Sequence, residues 1–130
     1  MSLQQTNSIE KLLDDATELA ISASRPSGRG NKPEVDKSTV ENLLSYLQLR
    51  KNINELLAYI IRQMGRGEID KETGSLLLSK LRGKDYETAV TFLGYFKWIY
   101  EALTSRELQD KRAQLNNVKE FKKLVEILSR

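Results

Sequence analysis

A chain of 130 residues, 39% hydrophobic and 30% charged, is long enough for one domain with a single core and too short for two comfortable ones. It contains neither cysteine nor histidine, which removes zinc and iron–sulfur centres, thiol nucleophiles and imidazole-based proton transfer from the chemistry open to it. The net charge of +3 is unevenly spread: residues 1–24 carry Glu10, Asp14, Asp15 and Glu18 against Lys11 alone, a net of −3, which leaves +6 on the remainder.

The first twenty residues lack the basic-then-apolar order of a signal peptide, and no run of eighteen apolar residues occurs, so neither secretion nor a membrane span is expected. A cysteine-free chain suits a reducing compartment, and a cytoplasmic location is the default expectation.

Ile9, Leu12, Leu13, Ala16, Leu19 and Ala20 fall at three- and four-residue spacing and predict a leading helix over 1–25, with Asn7 and Glu10 as its capping box. Residues 26–37 follow, holding both prolines and the Gly28-Arg29-Gly30 triplet, and read as a flexible linker ahead of a main bundle over 38–130. Ser38 with Glu41 predicts the next helix start. The apolar stripe from Val40 through Leu43, Leu47, Leu56, Ile60 and Met64 then runs without glycine or proline to Gly65, which predicts one continuous helix despite the polar Arg50-Lys51-Asn52.

Asp70 predicts the cap of a short helix carrying Leu76, Leu77, Leu78 and Leu81, and Asp85 that of an aromatic one. The latter displays Tyr86, Ala89, Val90, Phe92, Leu93, Phe96, Ile99, Tyr100 and Leu103, the expected centre of the core. Thr104 with Glu107 opens a weakly amphipathic stretch. Asn117 with Glu120 predicts the start of a last helix showing Val118, Phe121, Leu124, Val125 and Leu128. The expected fold is all-α, a single compact bundle of about six or seven helices, with no period-two alternation to suggest a sheet.

The carboxylate pairs Asp14-Asp15 and Glu68 to Glu72 sit on helix starts and polar faces, where the helix dipole and solvent suit them, and predict no general acid–base centre. The Gly28-Arg29-Gly30 and Gly65-Arg66-Gly67 triplets follow no strand and carry no Gly-Lys-Ser/Thr, so they read as turns, although an arginine between glycines is free to reach a phosphate. Arg62 and Arg66 lie one helical turn apart, and Lys80, Arg82 and Lys84 cluster at a helix end. Tyr95 and Trp98 flank Lys97, with a half-buried Trp98 expected at a helix–helix edge.

The segment Phe92-Leu-Gly-Tyr-Phe-Lys-Trp-Ile-Tyr-Glu-Ala-Leu103 is similar to the aromatic-rich closing helix of a small-subunit family of CRISPR effector complexes, type III above all. Leu47-Gln-Leu-Arg-Lys-Asn-Ile-Asn-Glu-Leu56 resembles a Leu-Arg-Lys helix in another such family. The resemblance spans residues 38–103. It implies a non-catalytic subunit, without metal or cofactor, that packs beside other effector subunits and steadies guide RNA and target nucleic acid through basic faces. Arg50, Lys51, Arg62, Arg66, Arg82 and Lys84 are the expected phosphate contacts, and binding of that kind is salt-sensitive. Phe121, Leu124, Val125 and Leu128 are the expected partner-binding residues, whether the partner is a neighbouring subunit or a second copy of the chain. Two alternatives stand beside this: a helical protein–protein adaptor using the terminal helices, and a viral DNA-coating bundle using 25–37 as a basic arm.

Overall fold

The computed structural model describes residues 3–28, 30 and 32–130, with side chains from residue 8 onward. Arg29 of the first glycine triplet lies outside the described residues, and the expected cap at Asn7 is corrected: the leading helix already begins at Leu3, four residues earlier. Among those described the fold is all-α, with seven helices: α1 (Leu3–Ser24), α2 (Lys37–Arg50), α3 (Ile53–Gly65), α4 (Lys71–Leu81), α5 (Tyr86–Leu103), α6 (Gln109–Arg112) and α7 (Phe121–Leu128). Tight 3-10 turns at Arg106–Leu108 and Ala113–Leu115 flank the short α6.

The leading helix is the axis of the bundle rather than an appendage. From Asp15 to Ser24 every residue but Glu18 is buried, and α1 packs along α5, with α4 and α7 against its other sides. A helix enclosed nearly all round needs side chains that let its neighbours approach. Ala16, Ala20 and Ala23 supply that, and the buried hydroxyls are satisfied in place: Thr17 donates to the Leu13 carbonyl at 2.8 Å, and Ser22 shares a 2.7 Å hydrogen bond with Thr73 of α4. Phe92, Leu93, Phe96 and Tyr100 fill the core from α5, as their spacing predicts.

The 26–37 segment is fastened to this core. Ser27 N–H donates to the Lys32 carbonyl at 3.0 Å, Glu34 N–H to that of Arg25 at 2.8 Å, and Val35 N–H to that of Ala23 at 3.0 Å. Val35 is 1% exposed, and its carbonyl accepts the Tyr100 hydroxyl. The described part of the segment expected as a flexible linker is thus hydrogen-bonded to α1 and α5. Burial first, then the nearby Asp36 carboxylate, pushes the Tyr100 phenol far above its usual range, so it stays a donor. Tyr100→Phe leaves the buried Val35 carbonyl without its donor and is expected to cost about 1–3 kcal/mol. Urea denaturation checks this; an unchanged midpoint would mean that the phenol does not hold the loop.

The expected continuous helix over 39–64 is broken. Lys51 adopts a left-handed conformation, φ 54°, and its N–H caps the Leu47 carbonyl. Asn52 then starts α3, its side chain accepting the Glu55 N–H at 3.0 Å. Asn is among the best N-cap residues, and ending α2 here keeps the polar Arg50-Lys51-Asn52 out of a buried stripe. α3 packs against α2 and α4, and Gly74 of α4 lies so close to Met64 that a Cβ there would require the methionine side chain to shift.

Asp70 and Asp85 cap as predicted, accepting from Thr73 N–H at 3.2 Å and Thr88 N–H at 2.8 Å. Three other predicted starts are corrected. Asp36, not Ser38, stands at the N-cap of α2. Thr104 ends α5 instead of opening a helix, its hydroxyl donating to the Tyr100 carbonyl at 2.9 Å. The last helix begins at Phe121, four residues after Asn117, and its cap comes from across the bundle: Asp14 of α1 accepts the Phe121 N–H at 2.9 Å.

Candidate functional site

The six basic candidates do not form one patch. Arg50 is clamped on Glu55, with Nε and Nη2 donating at 2.7 and 3.2 Å, which raises the arginine pKa and lowers that of the glutamate. This pair is neutral to an approaching phosphate. Lys84 is turned inward: its ammonium donates to the Lys80 carbonyl and lies 5.3 Å from the centre of the Phe92 ring, and burial is the main cause that pushes its pKa down. It serves the fold and drops out of the candidate interface. Lys51 is exposed on the α2–α3 connection, and Arg82 is exposed at the end of α4.

Arg62 and Arg66 keep the geometry expected of them. They stand four residues apart at the C-terminal end of α3, both exposed, and neither has a carboxylate within ion-pairing distance among the described residues. Neighbouring α4 carries Glu72 in its first turn, but that carboxylate is engaged by Arg25 at 2.9 Å.

Asp14, Asp15 and Glu18 of α1 are spent on the fold. Lys80 bridges Asp15 at 3.0 Å and Glu18 at 2.8 Å, and Lys11 adds a 2.8 Å contact to Asp15. Burial raises the Asp15 carboxyl, but the hydrogen bonds and charges of Lys11 and Lys80 outweigh it and hold the group below its ordinary value of 3.8. A folded-state pKa below the unfolded one stabilises the fold above pH 3.8, and that contribution is lost as pH falls through the depressed value. The expected result is a urea midpoint that drops from pH 3.8 downward and drops less in Asp15→Asn. Equal acid sensitivity in both proteins would mean that Asp15 is not the group responsible.

Phe121, Leu124, Val125 and Leu128 line one apolar groove of about 380 Å³ between α7 and the second half of α5, together with Trp98, Ile99, Ala102 and Leu103. Leu124 forms the floor, being 4% exposed, whereas Val125 is 48% exposed and Phe121 and Leu128 are half-buried. Trp98 is 72% exposed instead of half-buried, with the Tyr95 ring 6.2 Å away. No family model and no curated protein matches the chain.

Among the described residues no group of three or more acidic side chains gathers as metal ligands, and no helix is long and apolar enough to cross a membrane. The acidic stretch at Glu68 to Glu72 resolves into a helix cap, Asp70, and an ion pair, Glu72 with Arg25. One polar cluster escapes a reading of the sequence. Arg112 of α6 is only 8% exposed and donates to the Ser24 hydroxyl, the Asn116 side chain and the Ile21 carbonyl. Its single signal is a weakly amphipathic stretch rich in charge, which reads equally as a solvated turn.

Proposed function

We propose that this chain is a non-catalytic helical small subunit of a nucleoprotein assembly, of the CRISPR effector type its sequence resembles. In this role the end of α3 lies along a phosphate backbone while the α5–α7 groove seats a neighbouring protein subunit. The observation that carries the reading is the pair Arg62 and Arg66, exposed one turn apart and, among the described residues, without a carboxylate partner, in a chain that engages Arg25, Arg50, Lys80 and Arg112 internally. Free guanidinium groups on a rigid helix are suited to phosphate oxygens, and contacts of that kind carry no base preference. Lys51 and Arg82 add exposed charge on the adjoining α2–α3 connection and on α4. The groove supplies the second contact: an exposed aromatic residue beside a concave apolar surface is the usual composition of a protein–protein hot spot.

The test is fluorescence anisotropy of the purified chain with labelled single-stranded RNA, RNA–DNA duplex and double-stranded DNA, at low and near-physiological salt. Binding of RNA or of the hybrid that weakens steeply with salt, without hydrolysis, is the expected result. Absence of binding at low salt would contradict it and favour the second reading, a protein-only adaptor, which rests on the exposure of Trp98 above the groove.

A further inference from the structure

Arg112 poses a question of charge that the fold answers only in part. The residue is buried, and among the described residues no carboxylate lies within ion-pairing distance of it. Its three nitrogens are held by neutral acceptors: Nε by the Ser24 hydroxyl at 3.1 Å, Nη1 by the Asn116 side-chain oxygen at 2.8 Å, and Nη2 by the Ile21 carbonyl at 2.7 Å. Ile21 is in the last turn of α1, so the negative end of that helix offsets some of the charge. A second guanidinium stands close by: Arg25 donates to the Asn116 backbone carbonyl at 3.3 Å, and its own charge is taken by Glu72. One buried cation therefore remains without an anion. A guanidinium carries five N–H groups, and one on each terminal nitrogen of Arg112 has no partner among the described residues.

The same arginine lines a pocket of about 460 Å³, walled by Ser24, Pro26, Pro33, Leu103, Thr104, Gln109, Ala113 and Asn116. We propose that this pocket binds a phosphate monoester of a small organic molecule. The phosphate would sit against Arg112 and the amide N–H groups of Asn116 and Gln109, and the ester body against Pro26, Pro33, Leu103 and Ala113. The donors are spread over one guanidinium and two side-chain amides, and the three or more oxygens of a phosphate can meet them together, whereas a carboxylate has only two. The cavity is larger than a phosphate alone requires, and its apolar walls give the remainder of the ligand a place. The site is separate from the α3 surface and shares only Leu103 with the groove.

The test uses the full chain and adenosine 5′-monophosphate, inorganic phosphate and acetate, each at ionic strength matched with chloride, read by thermal shift and titration calorimetry. The nucleotide is expected to raise the melting temperature most, phosphate less and acetate not at all. Asn116→Asp supplies the missing carboxylate from within, so it should raise the melting temperature of the unliganded chain and weaken the nucleotide at least about tenfold. Gln109→Glu places a negative charge at an exposed position of the wall and should weaken the nucleotide with little change in stability. No shift with the nucleotide overturns the proposal and leaves Arg112 as a cap for α1. A shift that acetate reproduces, or that survives both substitutions, overturns it as well.

Discussion

Replacing Phe92 with alanine is expected to lower the free energy of unfolding by about 3–5 kcal/mol, the range for deleting a large aromatic side chain from a packed core. Phe92 is fully buried on α5, the helix packed most extensively against α1, and the Lys84 ammonium rests near its ring. The substitution thus removes apolar burial, leaves a cavity and strips a half-buried lysine of its aromatic neighbour. Trp98 provides the internal control. It lies on the same helix and is larger, yet it is 72% exposed, so Trp98→Ala is expected to change stability by no more than about 0.5 kcal/mol. Urea denaturation of the two variants checks both numbers. A tryptophan variant as damaged as the phenylalanine one would mean that α5 is rotated from the orientation described.

The double substitution Arg62→Ala with Arg66→Ala is expected to act on binding and to spare the fold. Both side chains are exposed at the end of α3 and make no ion pair among the described residues, so their removal leaves no buried partner behind. Every phosphate of a single strand that the protein ceases to neutralise reduces the slope of log affinity against log salt by about 0.7, and the pair of substitutions therefore by roughly 1.4. Affinity should fall similarly for all base sequences, because backbone contacts carry no sequence information. Arg50→Ala should do much less, since that guanidinium is already shared with Glu55. Anisotropy titrations over a salt series measure all three proteins. An unchanged slope in the double variant would place the phosphate contacts elsewhere.

The all-α architecture is legible in the sequence because its signals are local. Period-3.6 stripes, Asp70 and Asp85 each followed by a helix that they cap, and the aromatic run of α5 depend on neighbours a few residues away. What escapes depends on distant partners. α7 starts at Phe121 because Asp14, far away in the chain, caps it, while Asn117 and Glu120 make the better local pattern. The near-complete burial of the second half of α1 is not announced by its single apolar stripe, because its alanines, serines and threonines have little hydrophobicity to display, and only the tertiary packing shows why small side chains are needed there. The break at Lys51 demands a left-handed lysine, which composition does not announce.

The binding residues divide along the same line. Phe121, Leu124, Val125 and Leu128 share a helix face, so their convergence on one groove follows from periodicity alone. Basic residues chosen for charge have no such guarantee. Which of them are free depends on where the acids fall, and Glu55 and the Lys80 carbonyl claim two of the six.

In the proposed role nucleic acid and protein partner use different surfaces, and Trp98, the only tryptophan in the chain, reports on one of them. The decisive experiment follows its fluorescence while unlabelled single-stranded RNA is titrated in at low salt, with binding monitored in parallel by anisotropy of a labelled strand. Saturable binding with tryptophan emission unchanged is expected, because the RNA lies along α3 and leaves the groove open. Saturable quenching of Trp98 would put the nucleic acid on the groove by base stacking and contradict the division of surfaces, and no binding at all would contradict the nucleoprotein role itself.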